Sequence, residues 1–209
     1  MNALLIIIVA VLLIALVFLL FRVLGNKKED KEAALRDRAY APRDPFSTAD
    51  DDAVRGNPRT LKPGDLVEIR GQSYFVRGTL MLEQSGFRWT ENFLDTGVGV
   101  KGWISVEEDP DLEVVLWSEL QGVTITPGAP TIELEGRSYR FDESGNARFT
   151  SMGTTGLTTG VMAYQDYEAG NDRLSFEDYG SGWECARGQV LSRAEYRIFP
   201  AGSTPEGSV

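Results

Sequence analysis

The sequence contains no histidine. That absence removes Ser-His-Asp and Cys-His catalysis, every histidine-bearing zinc site, and histidine as a general base or pH switch. Carboxylate, tyrosine or lysine chemistry stays open, so enzymatic function is disfavoured without being ruled out. There is one cysteine, Cys185. An internal disulfide is therefore impossible, which suits a reducing compartment but only weakly. With no histidine to activate it, the Cys185 thiol is read as a plain buried or half-buried side chain. Cations are scarce, with 21 Lys and Arg against 31 Asp and Glu. That balance speaks against nucleic acid as a partner, because phosphate binding needs clustered cations.

Other motifs are missing as well. The Gly- and Thr-rich stretch TSMGTTGLTTGVM (150–162) lacks the Gly-Lys-Ser/Thr ending of a P-loop and opens no helix, so it reads as a mobile loop between strands. The run Asp50-Asp51-Asp52 lacks the ligand spacing of a calcium loop and reads as solvated linker. No metal site and no cofactor is expected. After residue 60 no stretch has a convincing helical period.

One long apolar run is present. Residues 3–21, ALLIIIVAVLLIALVFLLF, carry no charge, Gly or Pro. At ~1.5 Å per residue they reach roughly 28 Å, close to the hydrocarbon thickness of a bilayer. Only Met1 and Asn2 precede the run, the run is long for a signal peptide, and Val23-Leu24-Gly25 is a poor cleavage site. Residues 1–24 are therefore read as a retained transmembrane helix that contacts membrane lipid through 3–21. Arg22, Lys27, Lys28, Lys31, Arg36 and Arg38 follow it closely and no cation precedes it. The positive-inside rule then puts the N-terminus outside and the C-terminal part in the cytoplasm.

Residues 25–60 read as a charged juxtamembrane segment and a disordered linker, rich in proline and aspartate and poor in apolar residues. As coil they would reach roughly 33 Å. From Leu61 the texture changes to short alternating runs with turn residues between them. VEIRGQSYFV (67–76) is nearly repeated as IELEGRSYRF (132–141). Each reads as a β-hairpin, with turns at Gly71-Gln72 and Gly136-Arg137. GWISVEED (102–109) parallels DRLSFEDY (172–179), and FRWTENFLD (87–95) matches VMAYQDYEA (161–169) more loosely. In that last match Ala163 stands opposite Trp89. LEVVLWSEL (112–120) is a buried strand, and ARGQVLSRAEYRIFP (186–200) a last hairpin or strand pair. The expectation is an all-β domain over 61–200, a compact antiparallel sandwich or barrel built from two duplicated halves, about 61–125 and 126–200. Residues 201–209 read as a disordered tail.

LKPGDLVEIRGQSYFVRGTL, GFRWTENFLD and GWISVEED together resemble the bacterial domain of unknown function 4178 family. The features concerned are Gly64-Asp65, Gly71–Tyr74, Trp89–Leu94 and Trp103–Glu107. The resemblance spans roughly 61–200 and is more specific in the first half, since Ala163 and Arg173 replace the tryptophans in the second. It implies no established activity, and a contextual link to membrane-stress systems of the phage-shock type.

Trp89 and Glu91 share one face of a strand, as do Trp103, Ser105 and Glu107. If those strands pair, Trp89, Glu91, Trp103 and Glu107 form a candidate ligand or partner surface. The competing reading is core tryptophans beside solvated glutamates. Glu107-Glu108-Asp109 with Glu177-Asp178 could supply a two-carboxylate hydrolase pair. No catalytic residue is assigned. The leading expectation is a non-enzymatic, membrane-anchored interaction module with a protein partner. The domain from residue 61 holds 12 Lys and Arg against 23 Asp and Glu, so it would stand off anionic lipid and prefer a basic surface. A small-ligand-binding sensor is the alternative, and a carboxylate-dependent hydrolase using Glu91, Glu107 or Glu177 a third.

Overall fold

A computed structural model of the chain describes residues 49–202 apart from position 98. The expected anchor at 3–21, most of the expected linker, and the tail from 203 lie outside the described residues. Among the described residues no helix is long and apolar enough to cross a membrane.

The final part of the expected linker is ordered. Helix α1 (Ala49–Arg55) is followed by a 3-10 turn at Pro58–Thr60. Ion pairs and hydrogen bonds to residues distant in sequence tie this segment down. Arg193 donates to the carbonyls of Asp51 and Gly56 and pairs with Asp52. Arg59 forks onto Glu108 at 2.7 and 2.8 Å, and Pro58 is buried. Composition suggested a solvated coil because these partners lie far away along the chain. Ala201, expected in the disordered tail, donates its N–H to the buried Asp65 carboxylate at 2.8 Å.

Among the described residues eleven strands follow: β1 (Leu66–Ile69), β2 (Gln72–Gln84), β3 (Phe87–Leu94), β4 (Gly102–Glu108), β5 (Leu112–Glu119), β6 (Thr131–Leu134), β7 (Arg137–Gly153), β8 (Thr159–Ala169), β9 (Asp172–Asp178), β10 (Glu184–Val190) and β11 (Tyr196–Phe199). Their order is β11-β1-β2-β3-β4-β5-β10-β9-β8-β7-β6, all antiparallel, with an added pairing of β2 to β7. That pairing closes β2-β3-β4-β5-β10-β9-β8-β7 into an eight-stranded barrel. The fold is thus a barrel rather than a sandwich. β1–β5 and β6–β10 are each a five-stranded meander.

Two details depart from the sequence expectation. The hairpin turns sit one residue earlier, at Arg70-Gly71 and Glu135-Gly136, whose φ angles are 50° and 81°, and 50° and 79°. Positive φ at both central residues is the twist-matched turn for a two-residue hairpin, with glycine best placed second. The last two strands form no hairpin with each other. β10 enters the barrel between β5 and β9, whereas β11 pairs with β1. The stretch 150–162 is mostly strand, with a short loop at 154–158 held by a 2.6 Å hydrogen bond between the Ser151 and Thr155 hydroxyls.

β2 and β7 are the longest strands, and each is used twice. Register shifts fall between Val76 and Gly78 in β2 and between Phe141 and Glu143 in β7. A bulge bends a strand, so the first half of each leaves the barrel with its hairpin partner. β1, β11 and the start of β2 then cover the outer face of β3–β5, burying Val67, Ile69, Ile104, Val106, Val114 and Ile198 together. β6 and the start of β7 cover the outer face of β8–β10 around Tyr139, Tyr167, Leu174 and Phe176. Cys185 is buried in this outer layer, and burial pushes its thiol up to about 12.

The barrel interior is the third core. Trp103 stacks between Phe93 and Trp117, with ring centres 5.9 and 6.0 Å away. The Trp117 indole N–H donates to the Ser105 hydroxyl at 2.8 Å. Gly188 makes room for this stack, since a Cβ there would lie 2.7 Å from the Trp117 ring and from Val115. Gly188→Ala is therefore expected to destabilise the protein by about 1–3 kcal/mol through overpacking. Urea unfolding checks this. Ala tolerated there without loss would mean that the Trp117 stack is loosely held.

Candidate functional site

Inward-facing side chains alternate along each barrel strand, as pleating requires. On β3 and β4 the register pairs Trp89 with Glu107, Glu91 with Ser105, and Phe93 with Trp103. All four residues singled out in the sequence, Trp89, Glu91, Trp103 and Glu107, therefore line one cavity inside the barrel. Its volume is about 360 Å³.

The second meander contributes a matching set. On β8 and β9 the register pairs Tyr164 with Glu177 and Asp166 with Ser175, and these four also line the cavity. Ser105 and Ser175 hold corresponding places in the two meanders. Asp166 then occupies the position of Glu91, Tyr164 that of Trp89, and Glu177 that of Glu107. The sequence comparison had set Ala163 opposite Trp89, a slip of one residue. Such a slip turns every side chain to the other face of the strand, which hid Tyr164 and Asp166. Glu177 was visible as part of an acidic pair. Its neighbour Asp178 instead accepts from the Gly180 and Gly182 N–H groups in the following turn. Glu108 points outward to Arg59.

Among the described residues no lysine or arginine lines the cavity, whose charged members are all acids: Glu91, Glu107, Asp109, Glu143, Asp166 and Glu177. Glu107, Asp109 and Glu143 are exposed at the rim beside Ser85 and Phe87. Glu91 lies deep, at 3% exposure. Its Oε2 accepts from the Tyr179 hydroxyl at 3.2 Å, and Glu177 Oε2 accepts from the same hydroxyl at 2.9 Å. One hydroxyl proton cannot serve both at once. Asp166 Oδ1 is sealed from solvent and has no hydrogen-bond partner. Lys101 acts weakly on Glu177, and it is engaged by Glu184 at 2.6 Å and Glu119 at 3.7 Å.

These carboxyls hold their protons unusually well. Burial raises Glu91 to about 7, with Asp166 adding to the rise and hydrogen bonds from Tyr179 and Trp89 opposing it. Burial, then Glu91, holds Glu177 well above the usual carboxylate range. Burial also lifts Asp166 far up, resisted by the Ser175 hydroxyl and reinforced by Glu177, Glu143 and Asp142. Glu107 rises through partial burial and then through Glu143. The Tyr164 hydroxyl is pushed up to about 12 by burial and the surrounding acids, and that of Tyr179 is raised by burial, Glu91 and Glu177.

Between the unfolded and folded pKa of a raised carboxyl, the folded state keeps a proton that the unfolded state has lost. Stability therefore falls as pH rises through that window, which for Glu91 runs from 4.5 to about 7. Glu91→Gln keeps the shape and the Tyr179 contact but removes the charge. It is expected to leave stability nearly unchanged near pH 5 and to raise it by on the order of 2 kcal/mol near pH 8. Urea unfolding at both pH values decides this. A variant weaker than the parent at pH 8 would show that the interior carries no excess of negative charge.

Comparison with known proteins gives a family without adding an activity. A family profile described as Domain of unknown function (DUF4178) matches residues 62–193. An uncharacterized protein of Mycobacterium bovis is 35% identical over 169 residues, covering 76% of this chain and 80% of its own length. Uncharacterized proteins from two Mycobacterium tuberculosis strains match to the same extent. No solved structure matches.

Proposed function

We propose that this chain, which belongs to the DUF4178 family, is a small-molecule-binding barrel that takes its ligand into the acid- and aromatic-lined interior. The observation that carries this reading is a cavity of about 360 Å³ inside the barrel whose charged lining residues are all acids, one of which, Asp166, has an unpartnered oxygen. Buried polar groups are nearly always hydrogen-bonded, and a concave site of this size suits a small ligand. A barrel that served only as a scaffold would fill its interior with apolar side chains. The apolar run 3–21 and its basic flank support a second element of the proposal. They would hold the barrel at the inner face of a membrane, where it acts as a sensor or carrier.

An interaction module remains as the second reading, favoured by one surface feature. Phe75 and Phe199, at 59% and 46% exposure, flank Leu66 across adjacent strands β2, β1 and β11. Exposed aromatics in a row suit a protein contact.

Three of the four tryptophans, Trp89, Trp103 and Trp117, line the cavity, so their fluorescence reports its contents. Low-molecular-weight fractions of a bacterial extract, titrated into the full-length protein, are expected to shift that emission and raise the melting temperature. Ser175→Phe, which fills the deep end, is expected to abolish both responses while circular dichroism shows an intact barrel. A response that survives in Ser175→Phe would move the ligand site out of the barrel.

A further inference from the structure

We propose that the ligand is a linear aliphatic amine bearing two or more ammonium groups, lying along the barrel with its methylenes against the tryptophans. This names the ligand class for the binding reading above and rests on it.

The first argument is charge. Every charged side chain on the cavity wall is an acid. Buried charge is stable only when it is paired, and within the described residues the pairing is missing. The second argument is the hydrogen-bond inventory. Against the carboxyls of Glu91, Glu177 and Asp166 the barrel sets the shared Tyr179 hydroxyl, the Trp89 indole N–H and the Ser175 hydroxyl. Asp166 Oδ1 still lacks a partner. A guest that brings donors and positive charge would complete the set. An ammonium carries three donors and no acceptor.

Spacing and walls narrow the class further. On β3–β4, Glu91 and Glu107 stand one pleat repeat apart in register, and on β8–β9 Asp166 and Glu177 do the same. One repeat is about 7 Å, the reach of a short methylene chain between two nitrogens. The two meanders run in opposite directions along the barrel, so Glu107 and Glu177 stand toward opposite ends with Glu91 and Asp166 between them, which suits a ligand with more than one cationic centre. Trp89, Trp103, Trp117 and Tyr164 supply aromatic faces for the chain between them, and such faces also attract ammonium groups. A compact metal ion fits less well. Among the described residues no three acids or cysteines converge closely enough to hold one.

Binding should also depend on pH. The groups facing Glu91 are Tyr179, Trp89, Glu177 and Asp166, with Lys101 acting on Glu177 from its pair with Glu184. The carboxyls are partly protonated when the cavity is empty. An ammonium ligand displaces those protons, so affinity rises with pH.

The test uses the full-length chain in detergent, followed by calorimetry and tryptophan fluorescence. The probes are bis(3-aminopropyl)amine, 1,4-diaminobutane, n-butylamine, 1,4-butanediol, and magnesium or calcium chloride. The triamine is expected to bind at least about tenfold more tightly than n-butylamine, through its added charge-assisted hydrogen bonds. Its affinity should rise from about pH 6 to about pH 8, with proton release seen as a dependence of the heat on buffer. Glu91→Gln and Asp166→Asn are each expected to weaken the triamine about tenfold or more. Glu108→Gln, on the outer wall, should leave it unchanged. Glu91→Gln is expected to be the more stable protein at pH 8, so its lost affinity cannot come from unfolding.

Equal binding of n-butylamine and triamine, or full binding by Glu91→Gln and Asp166→Asn, would overturn the amine proposal. So would preference for the diol or for a divalent salt, although the ligand-binding barrel would then stand. Triamine binding that persists unchanged in Ser175→Phe would overturn both readings together.

Discussion

Closure of β2 onto β7 is the constraint on which everything else rests. Without it the chain would be an open sheet of eleven strands, and its inward row of acids and tryptophans would face water. The pairing runs from Gly78–Gly153 to Glu83–Arg148. It is possible only because both strands bend out of their own hairpins first. The two bulges fall at corresponding places, after Val76 and after Phe141, and each lets one strand serve two layers. Close approach at the seam also needs small residues. A Cβ on Gly78 would lie 2.6 Å from the Thr154 backbone, and one on Gly153 2.6 Å from the Arg77 carbonyl oxygen.

The enclosed volume is then spent on groups that oppose folding. A barrel of this strand number can be filled by side chains, and part of this one is, by the Phe93–Trp103–Trp117 stack with Leu80, Leu82 and Phe149. The remainder is walled by carboxyls with raised proton affinity. The outer layers offset their cost. Two further cores, each built by a hairpin folded back over its own meander, bury apolar residues on the barrel's outside. Polar residues on that outer side are satisfied locally: Thr79 donates to Asn92, and Asn92 to Thr90. The inward-facing acids thus lack the local partners that the outer polar residues have, and Asp166 Oδ1 has none.

Much of this was legible from local pattern. Alternation and turn residues gave the strands, the twice-written hairpin gave the equivalent ends of the two meanders, and the face shared by Trp89 and Glu91 gave one wall of the cavity. What stayed hidden was non-local or a matter of register. The choice between barrel and sandwich depends on the β2–β7 seam, which pairs strands 65 or more residues apart and leaves no local mark. Asp166 and Tyr164 were lost to a one-residue misalignment, because a loose match of aromatic and polar residues cannot fix which face is buried. The order in 49–60 depends on Arg193 and Glu108, neither of them near in sequence.

The two ends of the cavity differ, and the difference gives it a direction. β4 is followed by Asp109, exposed on the rim beside Ser85 and Phe87. The corresponding residue after β9 is Tyr179. It packs into the interior core with Leu157, meets Phe149 edge-on at 5.4 Å, and reaches Glu91 and Glu177 with its hydroxyl. One end of an otherwise matched pair is therefore plugged by an aromatic ring, while the other presents an acid. A cationic guest meets the rim acids Glu107, Asp109 and Glu143 first and the deep acids after them, so attraction increases inward as solvent is left behind. Tyr179 sits where that path stops. It closes the floor and brings its hydroxyl within reach of both Glu91 and Glu177, the deepest acids a guest would meet.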